Sequence, residues 1–125
     1  MKIITLVFLL LWPSMVWAVD AQQVSKTLRI TYTEPTENVD ATPLMDLGGT
    51  LITVIADGVA LPDIDVPATA LTGGGPVVQD VVVPFSPNTL VSVDLEVSAY
   101  DTSGNASDIV PLNVTIDWLP PGKVK

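Results

Sequence analysis

From Val91 to Tyr100 the sequence alternates strictly in two sets. Val91, Val93, Leu95, Val97 and Ala99 form one set; Ser92, Asp94, Glu96, Ser98 and Tyr100 form the other. A helix would scatter both sets around its circumference, whereas an extended chain sends alternate residues to opposite faces. The segment is therefore a half-buried strand with an acidic, solvated outer face. The same period of two sets Leu28, Ile30 and Tyr32 against Arg29, Thr31 and Thr33, and Val110, Leu112, Val114 and Ile116 against Pro111, Asn113, Thr115 and Asp117. Residues 51–56 and 77–85 are apolar runs rich in Val and Ile, which suits strands, and residues 59–67 leave room for another short one.

Turn chemistry separates these runs. Residues 34–42 are polar and contain Pro35, Gly48-Gly49 precedes one apolar run, and Asp57-Gly58 follows it. Three consecutive glycines occupy 73–75, Ser86-Pro87-Asn88 divides two strands, and Gly104-Asn105 lies between the two most regular alternations. Gly, Pro, Asn and Asp supply the backbone angles that reversals need. The chain has 11 prolines, which argue against long helices because each removes an N–H donor and clashes with the preceding turn. No amphipathic helical stripe and no internal repeat is present. Six or seven short strands with regular turn signals predict an all-β, antiparallel β-sandwich.

The N-terminus reads differently. Lys2 precedes residues 3–12, apolar apart from Thr5, Pro13-Ser14 breaks the run, and Val16 and Ala18 place small residues at −3 and −1 of a cleavage site. Residues 1–18 are expected to be a secretory signal peptide. The rival, an uncleaved anchor, has an apolar stretch of about 17 residues interrupted by proline, short for a spanning helix of about 20. After cleavage 125 − 18 = 107 residues remain, with a net charge of 4 − 14 = −10. No stable membrane insertion is then expected, and the product is periplasmic or extracellular. The chain has no cysteine and no histidine. That removes disulfides, thiolate and histidine-based nucleophilic catalysis, and metal sites built on those ligands. A strongly acidic surface repels phosphate backbones, so nucleic acid is not an expected partner.

Ile30-Thr31-Tyr32-Thr33-Glu34-Pro35-Thr36-Glu37-Asn38, followed by Asp40 and Thr42-Pro43-Leu44, resembles the B strand and B–C loop of bacterial fibronectin type III domains. Val97-Ser98-Ala99-Tyr100-Asp101, with Gly104-Asn105 and Ser107, resembles that family's F strand and F–G turn. The resemblance covers roughly residues 28–116. It implies an immunoglobulin-like sandwich of the fibronectin type III kind over residues 19–117, with 118–125 as a linker-like tail. Tyr32 stands where the family's pattern has a core Trp, and Val91 or Val93 where it has a corner Tyr; the aromatic of the C strand is replaced within Gly49-Thr50-Leu51. The resemblance carries no catalytic residue across. It implies a binding or spacer module, and Tyr32 and Phe85 are expected in the core.

No constellation in the sequence points to catalysis. Asp63 and Asp65, near Asp57, read as solvated acids that protect an edge strand. The run from Asp101 to Asp108 has oxygen side chains but lacks the spacing of a calcium loop, with Leu112 at position twelve. Its Asp and Asn are expected to bond their own backbone, and no metal or cofactor is expected. The glycines at 73–75 are followed by neither Lys nor helix, so they are not a phosphate cradle. Tyr100 and Trp118 are too scattered for a sugar-stacking platform, which leaves a small carbohydrate-binding module as the weaker of two alternatives. The other is a structural subunit of a surface assembly. The leading expectation is a non-catalytic exported module that contacts a protein through loops 34–44, 71–76 and 101–108. Asp101, Thr102, Ser103, Gly104 and Asn105 are the recognition-loop candidates, and the partner's identity is not encoded in any motif.

Overall fold

The computed structural model describes residues 18–124. The expected signal, residues 1–18, lies outside the described residues except for Ala18, as does Lys125. Eight strands follow one another: β1 (Asp20–Val24), β2 (Thr27–Thr33), β3 (Leu47–Ala56), β4 (Val59–Ala60), β5 (Ile64–Pro67), β6 (Pro76–Val82), β7 (Leu90–Asp101) and β8 (Val110–Asp117). Among the described residues there is no helix. One sheet has the order β1-β2-β6; the other runs β4-β3-β7-β8, with β5 also on the free side of β3. Every pairing is antiparallel. The protein is an all-β sandwich of two antiparallel sheets.

The alternation fixes which faces meet. Leu28, Ile30 and Tyr32 of β2 and Val77 and Val81 of β6 join Ile52 and Val54 of β3, the inward Val91–Val97 set of β7 and Ile116 of β8 in one core cluster. Burying such side chains contributes about 1.5–3 kcal/mol each. β8 is an edge strand, so its inward Val110, Leu112 and Val114 are only half-buried. Trp118, one residue past β8, belongs to the same core and closes that end of the sandwich. A smaller cluster of Leu44, Leu47 and Ala99 sits beneath the loops at the other end.

Four expectations need correction. The strands number eight because residues 59–67 split into β4 and β5, which pair with different stretches of β3. Gly48-Gly49 is part of β3 and not a turn before it. A Cβ on Gly49 would lie 2.6 Å from the Val66 carbonyl and 2.7 Å from the Tyr100 hydroxyl, so the strand takes glycine to let Tyr100 cross it. The pairing with β7 slips by one residue at this place. Finally, the run 77–85 ends as a strand at Val82, and Phe85 is 57 % exposed instead of buried. Pro84 carries no N–H to continue a ladder, and Phe85 instead meets Trp118 edge-on with centroids 5.0 Å apart.

Two polar clips join the sheets. The Tyr32 hydroxyl hydrogen-bonds the fully buried Thr50 hydroxyl across the core. Burial, more than any neighbour, raises the Tyr32 pKa above the ordinary phenol value; the Thr50 bond opposes this and the Glu34 charge adds to it. At the edge, the Gln23 amide accepts from Asp117 N at 2.9 Å and donates to Asp117 O at 3.1 Å. A side chain thus takes up β8 backbone groups that no strand covers.

Candidate recognition surface

The strand directions sort the connections by end. β2 ends, β3 begins, β5 ends, β6 begins, β7 ends and β8 begins at one end of the sandwich. The connections 34–46, 68–75 and 102–109 are therefore neighbours, and they overlap the loops singled out from the sequence, of which Pro76 and Asp101 fall at the ends of β6 and β7. Backbone bonds tie them together. Leu47 N donates to Leu71 O at 2.9 Å, Thr102 N to Asp46 O at 2.8 Å, and Glu34 N to Gly75 O at 3.0 Å.

The first loop folds on itself as a small hairpin. Asn38 N donates to Thr42 O and Leu44 N to Thr36 O, both at 2.9 Å, and Ala41 turns the chain at φ 66°. Asp40 accepts from Thr42 N and Oγ1, and these two bonds, the hydroxyl's first, hold its carboxyl below the usual range. Leu44 anchors the hairpin in the smaller core, while Val39 at its tip is fully exposed.

In the third loop the Asp101 carboxylate accepts from Ser103 N at 3.0 Å, Asn105 N at 2.8 Å and Asn105 Nδ2 at 3.0 Å. The Asn105 side chain is the chief reason its pKa is lowered, followed by the Asn105 backbone. Gly104 at φ 89° supplies the left-handed residue the turn needs. The five candidates Asp101 to Asn105 thus form one tight turn whose carboxylate builds the turn itself, as the sequence suggested.

Sequence reasoning missed the residue that organises this end. Glu34 is only 2 % exposed. Its carboxylate accepts from Thr69 N at 2.9 Å, Thr69 Oγ1 at 2.5 Å and Gly75 N at 3.0 Å. A charge this deep is tolerated only when donors replace its water. Here the donors come from the 68–75 loop, so Glu34 latches that loop to the end of β2. Its one local signal is its place beside Pro35 at a strand end, and that equally describes a solvated loop acid.

The other acids the sequence raised do not converge. Asp65 on β5 accepts from the Tyr100 hydroxyl at 2.6 Å, a bond that leads the upward shift of the Tyr100 pKa. Asp94 accepts from Asn113 Nδ2 at 2.7 Å on the outer face of β7 and lines a shallow groove with Glu96, Pro111 and Ile55. No three acidic side chains among the described residues gather as a metal-ion cluster. The loop end, by contrast, combines a fixed backbone with exposed apolar side chains: Val39, Met45, Leu71 and Ile109. Apolar groups held in water by a rigid frame are what a docking surface offers. No family model and no curated protein matches this sequence.

Proposed function

We propose that the protein is a non-catalytic, exported binding module that contacts a protein partner through the loop end. The observation that carries this reading is the convergence of three separately hydrogen-bonded loops at one end, with Val39, Met45, Leu71 and Ile109 exposed on them. Pre-ordered loops lose little entropy on binding, and exposed apolar residues supply the driving force. The Asp40 and Asp101 carboxylates accept hydrogen bonds from their own turns, which suits a scaffold role for these two. Export rests on the signal-like residues 1–18, which would deliver the domain to the periplasm or beyond. The fibronectin type III kind is supported by where the two resembling blocks fall. One is on β2 and the loop after it, the other on β7 and its turn, with β3, β7 and β8 adjacent in one sheet as the C, F and G strands of immunoglobulin-like folds are.

The test is a pair of variants of the exported protein used as bait against its native extracellular fluid. Replacing residues 102–105 with a plain Gly-Ser turn should lose the captured partner. Asp94→Ser with Glu96→Ser should keep it and change mainly its salt dependence. Loss with the strand-face pair and retention with the loop change would move the interface to the sheet.

A further inference from the structure

We propose that the partner of the loop end is a protein surface that carries arginine or lysine side chains around an apolar centre. This rests on the loop end being the contact surface.

Charge and apolar exposure coincide at this end. Residues 34–46, 68–75 and 101–109 contain Glu34, Glu37, Asp40, Asp46, Asp101 and Asp108 and no Lys or Arg. Glu34 is buried under its donors, and Asp40 and Asp101 are taken up by their own turns. Glu37, Asp46 and Asp108 remain. Among the described residues, no donor bonds these three carboxylates. Each also stands beside an exposed apolar residue in the chain: Glu37 near Val39, Asp46 next to Met45, and Asp108 next to Ile109.

The other surfaces lack one half of this combination. At the opposite end Phe85 and Leu119 are exposed, but Asp57 and Asp117 there are balanced by Lys26 and Lys123. On β6, Val78 and Val82 are exposed on either side of Asp80, whose charge Arg29 neutralises at 2.9 Å. The groove at Asp94 and Glu96 is acidic, but none of the exposed large apolar side chains lines it. Of these four surfaces the loop end alone joins unbalanced negative charge to apolar side chains held in water.

That pairing selects the chemistry of the occupant. A docking surface strips water from the apolar groups, which is favourable, and from the carboxylates, which is costly unless a donor replaces the water. A neutral surface leaves the three carboxylates unpaired, and an acidic one adds repulsion. Arg and Lys answer both needs, because an apolar stem carries a charged head. The stem suits Val39, Met45 or Ile109, and the head suits the neighbouring acid. A free metal ion does not fit, since no three acidic side chains among the described residues gather around one point. Arg is also among the residues that carry most of the binding energy in protein interfaces.

Amide NMR titration of the isotope-labelled exported protein tests this with three peptides at about 0.15 M salt, where charges act over about 8 Å. They are Arg-Leu-Arg-Phe-Arg-Leu-Arg, its counterpart with Glu for every Arg, and its counterpart with Ser for Leu and Phe. The first should shift amides of residues 34–46, 68–75 and 102–109 and bind about tenfold or more tightly than either counterpart. Glu37→Lys with Asp108→Lys should reverse the preference toward the Glu peptide, a gain that a misfolded variant could not give. Val39→Ser with Met45→Ser should weaken the first peptide about tenfold, and Asp94→Ser with Glu96→Ser should change it less than about twofold. If the Glu peptide binds the wild-type loops as tightly as the Arg peptide, the cationic partner is refuted and the loop reading stands. If the Arg peptide shifts only amides of β7 and β8 around Asp94, both readings fail. Absence of any shift at the loops, or an unchanged preference in the Lys variant, overturns the proposal, while the 102–105 replacement still decides the loop reading on its own.

Discussion

Truncating Glu34 to alanine should be among the most destabilising single changes at the loop end. Its carboxylate takes three hydrogen bonds, from Thr69 N, Thr69 Oγ1 and Gly75 N. Hydrogen bonds to a charged group contribute about 1.5–3 kcal/mol each, but they do not add when the donors can find water instead. Thr69 is exposed, so its N–H and hydroxyl are readily rehydrated once the carboxylate is gone, while Gly75 is half-buried. Counting one to two bonds as truly lost gives about 2–4 kcal/mol. In a domain of this size about 1 kcal/mol moves the melting temperature by about 4–8 °C, so Glu34→Ala should lower it by about 10–20 °C. Thermal unfolding followed by circular dichroism measures this. Thr69→Ala in the same background should show coupling of at least about 0.5 kcal/mol, since it removes a donor the alanine no longer needs. The expected cost applies to truncation only. A buried carboxylate also carries a desolvation penalty, and a well-fitted apolar replacement can offset the loss. A Glu34→Ala protein that melts within about 3 °C of wild type, with no coupling to Thr69, would refute the latch.

Gly49→Ala should cost about 1–3 kcal/mol, because its Cβ would meet backbone on one side and the Tyr100 hydroxyl on the other; urea unfolding checks it. Trp118→Phe should cost far less than Trp118→Ala, expected at about 3–5 kcal/mol, because the indole N–H makes no hydrogen bond that phenylalanine would forfeit. Asp101 has a lowered pKa in the folded loop, so the order it confers is complete above the ordinary carboxylate range and is lost as pH falls through that lowered value. Amide exchange at Ser103 and Asn105 should quicken only on strong acidification, and Asp101→Asn should remove the pH dependence. Asp80→Ala should promote aggregation seen by light scattering, since it strips the charge between the exposed Val78 and Val82 of edge strand β6.

What the sequence made legible was whatever depends on near neighbours. The faces of β2 and β7 follow from the period of two alone, and the inward sets Leu28, Ile30, Tyr32 and Val91–Val97 are buried as that period requires. The turn at Gly104 is equally local. Glu34 was not legible, because its burial is created by Thr69 and Gly75, more than thirty residues away. Gly48-Gly49 carried a turn signature that was overridden by the need for Tyr100 to cross β3, a constraint that exists only once β3 and β7 are paired. Phe85 continued an inward parity that Pro84 cut short. The open ladder positions of β3 went to two separate short strands, which composition could not divide.

We propose that this sandwich acts by contact through its three-loop end. Hydrogen exchange on the protein alone and saturated with its captured partner tests it most directly, because every loop and every sheet face reports in one experiment. Slowed exchange in residues 34–46, 68–75 and 102–109, with β7 and β8 around Asp94 and Asn113 unchanged, is the predicted result. Protection confined to the outer face of β7 and β8, with the three loops exchanging as in the free protein, would contradict it.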